Sequence, residues 1–239
     1  MRNEILLVVS LLVIFGGVLV FYKIFGITGL YCWTVLATIA ANIEVMLVVD
    51  AFGMEQTLGN ILFASTFLVT DIISEIAGKK KADKAVTLGI VTSIAYILLS
   101  QSWLLYTPSP NDWARSSIEA IFSNTPRVML ASLLVYAITQ RFDVWAYHKW
   151  WAFTTKKCGD SQKFLWLRNN GSTLISQLLN TVLFTMGAFY GMYNMETLIS
   201  ICASSYVIYV VTSLADTPFV YLARKMTQKD PKSFGVSSF

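Results

Sequence analysis

Charge is what this sequence has least of. Of its 239 residues, 13% are Asp, Glu, Lys or Arg, about half the share of an ordinary soluble domain. With 55% hydrophobic residues and a mean hydropathy of +0.59, there is too little polar side chain to clothe a water-soluble globule, so lipid is the solvent for much of its surface. Three isolated cysteines (Cys32, Cys158 and Cys202) have neither disulfide-framework nor metal-ligand spacing, and read as small apolar residues. There is one histidine, His148, and it lies in an interfacial Tyr-His-Lys-Trp run. No GxSxG, HExxH or P-loop motif occurs, so no nucleophile–base pair is visible and the chain does not read as an enzyme. No cofactor and no metal is expected. The net charge of +4 comes from loop lysines rather than a basic stripe, so no nucleic-acid partner is expected either.

Long apolar runs are what the chain has instead. Seven segments can cross about 30 Å of hydrocarbon: roughly 4–23, 28–49, 58–77, 83–106, 126–147, 171–192 and 197–223. The first outruns the apolar region of a signal peptide and has no small-residue cleavage site after it, so it reads as a retained helix. Two connections are long: a Pro/Asn/Asp-rich loop over 107–125, and a basic, Trp-rich stretch over 148–170 with an interfacial piece. The expected fold is all-α, a polytopic membrane bundle of about seven transmembrane helices forming a single domain over 1–239.

Basic residues alternate between the loops. Lys23, Lys79, Lys80, Lys81, Lys84, Arg141, Lys149, Lys156, Lys157, Lys163, Arg168, Arg224, Lys225, Lys229 and Lys232 fall on one side, whereas Arg2, Arg115 and Arg127 fall on the other. The positive-inside rule then puts the C-terminus in the cytoplasm and, with seven crossings, the N-terminus outside.

Polar residues inside the apolar segments are the functional signal. An ionised carboxylate at a bilayer centre costs about 2.5–3.5 kcal/mol on insertion scales, yet the third segment carries Asp71 and Glu75, one helical turn apart on one face, with Thr66 and Thr70 nearby. The second carries Asn42 and Glu44. Ser132, Tyr136, Gln140 and Asp143 make one stripe on the fifth. Arg168, Asn169 and Asn170 open the sixth, and Thr173, Gln177 and Asn180 continue its stripe; the seventh holds Asp216-Thr217-Pro218. Each alone could be interhelical glue. Together the stripes cannot all face lipid, so they converge on a polar chamber, with Arg168 the counter-charge for a carboxylate. A carboxylate beside Asn and Gln amides matches the edge of a guanine-like base, with Phe67, Tyr136, Phe184 or Trp166 as stacking platforms. On these residues alone, an amino acid or a cation stays open.

Several ordered blocks also resemble a known family: Ala41-Asn-Ile43; Gly59-Asn-Ile-Leu-Phe-Ala-Ser-Thr-Phe-Leu-Val-Thr-Asp71-Ile-Ile-Ser-Glu75-Ile-Ala-Gly78-Lys-Lys-Lys-Ala82; Ala131 to Asp143; Leu167-Arg-Asn-Asn-Gly-Ser-Thr173; Ser176-Gln177; and Asp216-Thr-Pro-Phe-Val-Tyr221. They are similar to the queuosine precursor transporters, also called the vitamin uptake transporter family, over about residues 40–224. The resemblance implies a membrane importer of 7-deazaguanine bases: 7-cyano-7-deazaguanine (preQ0), 7-aminomethyl-7-deazaguanine (preQ1) or queuine, salvaged for the tRNA nucleoside queuosine.

By motif position the resemblance implies a functional set of Asn42, Asp71, Glu75, Gln140, Asp143, Arg168, Asn169, Asn170, Gln177 and Asp216. The expected substrate site is Asn42, Thr70, Asp71, Glu75, Tyr136, Gln140, Arg168, Asn169, Asn170, Gln177 and Asn180. Glu75, Asp143, Arg168 and Asp216 are the expected gating or coupling residues. Within that set, Asp71 is expected to hold the base, and Glu75 to act as gate or proton site, since burial in low dielectric favours a carboxylate's neutral form. The sequence departs from the family at Asn180, where many members have aspartate, and at Ala64, where many have proline. The family core has about six helices, so the first segment reads as an added element. The alternative reading is a substrate-binding subunit of an energy-coupling-factor-like transporter, docked through small residues around Ala37, Ala40 and Ala41. An energising partner is not required by the leading reading, and a homodimer stays open.

Overall fold

A computed structural model describes residues 2–122, 126–232 and 234–235. The end of the expected 107–125 loop, residues 123–125, lies outside this range, as do the chain ends of the expected 1–239 domain. The described elements are α1 (Arg2–Glu44), β1 (Val48–Ala51), β2 (Met54–Thr57), α2 (Gly59–Ala77), α3 (Lys79–Trp103), α4 (Arg115–Phe122), α5 (Pro126–Cys158), α6 (Leu165–Phe189) and α7 (Met195–Lys229). Six of these helices are long and apolar enough to cross a membrane. The chain is an all-α multi-pass membrane protein.

The longest helix makes two of the crossings. Straight, the 43 residues of α1 would reach about 64 Å at 1.5 Å per residue, twice the hydrocarbon thickness. Gly26, at φ 58° and ψ −143°, breaks it into arms over 2–25 and 27–44. That backbone geometry is open to glycine and strained for other residues. The arms fold back on each other: Phe21 and Trp33 meet edge to face at 5.2 Å, and Gly17 lies directly under the Trp33 ring. Seven crossings result, as the apolar segments predict.

Three boundaries differ from the sequence reading, each for a local reason. The second segment, expected to run to residue 49, ends as helix at Glu44. A hairpin follows, β1 pairing antiparallel with β2 around Phe52-Gly53. Both turn residues have positive φ, 54° and 72°, the requirement of a tight two-residue turn matched to strand twist. α5 runs on through the basic, Trp-rich stretch to Cys158, because no glycine or proline interrupts it before Gly159, which closes it at φ 67° as a left-handed cap residue does. α6 correspondingly begins at Leu165, so Arg168 to Asn170 occupy its first turns. The loop expected over 107–125 contains the short helix α4.

Successive crossings alternate between two faces. On one, Ile27 N–H donates to the Phe234 carbonyl at 3.2 Å, Lys81 Nζ to the Gly235 carbonyl at 3.2 Å and Arg224 to the Gln162 carbonyl at 3.0 Å. This is the basic face. On the opposite face Asn3 donates to the Asp50 carbonyl, and Arg127 binds the carbonyls of Gly187 and Tyr190. α2 stands at the centre, with 89% of its most apolar window buried, ringed by the second arm of α1 and by α3, α5 and α7. The small residues Ala37 and Ala41 are packed inside this core rather than presented to an external scaffold.

Candidate functional site

α2 can be polar and still central because its neighbours answer its polar groups. Three layers stack along it. Toward the basic face, Arg168 reaches back from the first turn of α6, as helical side chains do, and forks onto Glu75. Its Nη2 donates to both Glu75 oxygens, at 2.6 and 2.7 Å, and its Nε donates at 2.9 Å. The Tyr147 hydroxyl on α5 donates to Glu75 Oε2 at 2.7 Å. Arg224 on α7 approaches Oε1 at 3.4 Å. The guanidinium of Arg168 also lies 4.4 Å over the Trp151 ring and donates to the Lys163 carbonyl at 2.8 Å. With Arg168 at 0% exposure, this knot ties α2, α5, α6 and α7 together.

The middle layer is rich in carboxyl groups. Thr173 donates to Asp71 Oδ2 at 2.9 Å, Ser176 to Asp143 Oδ1 at 2.8 Å and Asn169 to Asp216 Oδ1 at 2.7 Å. Asn170 bonds Thr217 at 2.7 Å. Beside them Gln140 donates to Thr66 at 2.7 Å and accepts from Thr70 at 3.1 Å. All of these side chains but Thr217 are buried.

The third layer is a small cavity near the face opposite the basic one. The second arm of α1 and α2, α5, α6 and α7 line it with Phe63, Phe184, Asn60, Asn180, Thr181 and Tyr209. Tyr209 donates to Asn60 Oδ1 at 3.1 Å, which leaves the Asn60 amide hydrogens without a protein acceptor among the described residues.

The sequence-predicted set is thus distributed over layers. Thr70, Asp71, Gln140, Asn169, Asn170 and Gln177 cluster beneath the cavity with Asp143 and Asp216, while Glu75 and Arg168 form the knot. Asn180 lies on the cavity wall and bonds Gln177 at 3.4 Å. Tyr136 is buried behind it, its ring edge-on to Phe63 at 6.1 Å and its hydroxyl against Gly89. Asn42 is not brought in: its amide donates to the Thr38 carbonyl of its own helix at 2.6 Å. Of the proposed stacking residues Phe184 lines the cavity, Phe67 is core, and Trp166 is 52% exposed on the outside.

Asn60, Phe63, Tyr209, Tyr147 and Trp151 were missed. Two had a readable signal. Asn60 precedes Asp71 by eleven residues, three helical turns, and Tyr209 precedes Asp216 by seven, two turns, so each shares its carboxylate's face.

Comparison with known proteins adds the family. A family described as "Putative vitamin uptake transporter" matches residues 57–223, which spans α2 to α7. The chain belongs to the vitamin uptake transporter family. A "Probable queuosine precursor transporter" of Bacillus subtilis (strain 168) is 39% identical over 216 residues, 90% of this chain and 92% of that one. No solved structure matches. In this family member the polar residues lie in three layers along α2: the cavity wall, the buried carboxyl and amide groups, and the Glu75–Arg168 knot.

Proposed function

We propose that the chain imports queuosine precursors, the 7-deazaguanine bases, entering at the open cavity and leaving through the Glu75–Arg168 knot. The cavity carries this reading. It offers aromatic faces from Phe63 and Phe184 between the side-chain amides of Asn60 and Asn180 and the Tyr209 hydroxyl, which suits a flat heterocycle with donors and acceptors along one edge. The name of the Bacillus subtilis relative points to the same substrate class.

The proposed orientation follows charge: the basic face is cytoplasmic, so the cavity faces outward and the knot is the inner gate. Alternating access then requires the gate to part as the cavity closes over the base. Asp71 lies beneath the cavity floor, within reach of a base that descends as the cavity collapses; in that step it would take the base's N–H edge.

A thermal-shift panel of the purified protein with guanine, preQ0, preQ1 and queuine tests the reading. Stabilisation grows with free ligand over Kd, so the deazaguanine bases should raise the melting temperature in a concentration-dependent way and Asn60→Ala should blunt the response. No shift with any of them would sink the assignment. Uptake of the same bases by the purified chain alone in liposomes is the companion measurement. Failure there, with binding intact, would favour an obligate energising partner.

A further inference from the structure

Asp71 and Asp143, on α2 and α5, bring their carboxyl groups within hydrogen-bonding reach of each other. Both are at 0% exposure. Each has one oxygen fixed by a hydroxyl donor on α6: Thr173 at 2.9 Å for Asp71 and Ser176 at 2.8 Å for Asp143. The remaining oxygens, Asp71 Oδ1 and Asp143 Oδ2, have no donor among the described residues. No ammonium or guanidinium among the described residues bonds them either. Arg168 gives Glu75 its Nε and Nη2 and directs Nη1 to the Lys163 carbonyl.

The other titratable groups facing this pair are Asp216 from α7, Glu75 on α2 itself and Tyr147 from α5. Asp216 adds negative charge, and Glu75 and Tyr147 are engaged in the knot. The other polar contacts on α2 are uncharged: Trp33 Nε1 donates to Ser65, Gln140 bonds Thr66 and Thr70, and Tyr209 donates to Asn60, while Ala37 of α1 and Ala82 and Val86 of α3 belong to the same apolar core. Two buried carboxyl groups in contact, with no basic side chain bonded to either among the described residues, cannot both stay ionised without strong repulsion, and one proton between them removes it.

We propose that Asp71 and Asp143 together hold one transferable proton, and that this proton is the coupling ion of import. The inference rests on the transport reading above, and it places coupling one turn deeper than Glu75. One proton can serve two carboxyl groups in contact through a single O–H···O⁻ bond, whereas no group of three or more metal-ligating side chains surrounds the pair among the described residues. The exchange is balanced: one carboxyl O–H bond forms as a proton arrives from the cavity side with the base. The same bond breaks to water on the basic side once the knot opens, and both carboxylates then repel until the cavity side reprotonates them. Thr173 and Ser176 engage one oxygen of each carboxyl, which leaves Asp71 Oδ1 and Asp143 Oδ2 free to hold the proton.

Two measurements test this on the full purified chain. In the infrared spectrum at neutral pH, the parent should show the carbonyl stretch of a protonated carboxylic acid, lost in both Asp71→Asn and Asp143→Asn. Absence of that band from the parent, or its persistence in both variants, overturns the shared proton, and the parent spectrum decides even if a variant fails to fold.

In liposomes with the membrane potential clamped at zero, a tenfold inward proton gradient should concentrate preQ0 about tenfold inside for one-to-one coupling. Asp143→Asn should lose that accumulation. Uptake that only equilibrates, whatever the gradient, overturns coupling and leaves import standing. A clear infrared band without uptake of any base sinks the import reading and supports the proton-holding pair.

Discussion

Glu75 and Arg168 illustrate how a membrane interior makes a residue pair indispensable without making it strongly stabilising. Desolvating both ions offsets most of their attraction, but removing one partner strands the other and costs about 3–5 kcal/mol. Glu75→Gln should therefore lower the melting temperature markedly and abolish gated transport. Arg168→Lys should do nearly the same despite keeping the charge, because an ammonium cannot make the fork onto both oxygens. Measuring melting and uptake for both variants checks the pair; a fully active Arg168→Lys would show that charge alone suffices. At the cavity wall the stakes are smaller. Tyr209→Phe removes one hydroxyl and its bond to Asn60, a net loss of about 1 kcal/mol of stability, so the melting temperature should fall by about 2–4 °C, and titration should show weaker base binding.

At the scale of elements, the close contacts are where single atoms decide packing. A Cβ on Gly17 would sit 2.6 Å from the Trp33 ring, and that ring's Nε1 donates to Ser65 on α2 at 2.9 Å. Gly17→Ala should thus prise the α1 arms apart and break their tie to the central helix, read as a lowered melting temperature and faster proteolysis at the Gly26 turn. Hydropathy made the seven crossings legible, since lipid demands long apolar helices and little else. The polar stripes on α2, α5 and α6 were legible for the same reason: the cost of exposing them is large. Element ends were harder to read. Hydropathy fell at Lys149 although the helix did not, and the β hairpin spans the end of one apolar run and the connection after it, with a turn that depends on backbone φ at Phe52 and Gly53. The layering of the site was not legible at all. Spacing assigns a residue to a face, but the depth of Asp71 relative to Asn180 depends on how neighbouring helices slide against α2, and Asn42 shows that a polar residue in a motif can simply bond its own helix.

For the whole molecule, the alternation of faces makes a direct topological prediction. Cys158 is exposed at the end of α5 on the basic face. In intact cells it should resist a membrane-impermeant maleimide and react only after permeabilisation. A cysteine placed by Asn111→Cys, in the loop before α4, should label from outside in both conditions. The reverse pattern would invert the proposed import direction, with the cavity then facing the cytoplasm.

The buried centrality of α2 also bears on how the protein is made. α2 leaves the ribosome carrying Asp71 and Glu75, but Arg168 is encoded 93 residues after Glu75. At about 5–20 residues per second, synthesis of that stretch takes roughly 5–20 s. During that interval the central helix has its lipid-tolerant neighbours α1 and α3 and none of its ionic partners. It must wait at the insertion machinery or at the bilayer surface, so the helix around which the finished bundle is organised is among the last to settle into it.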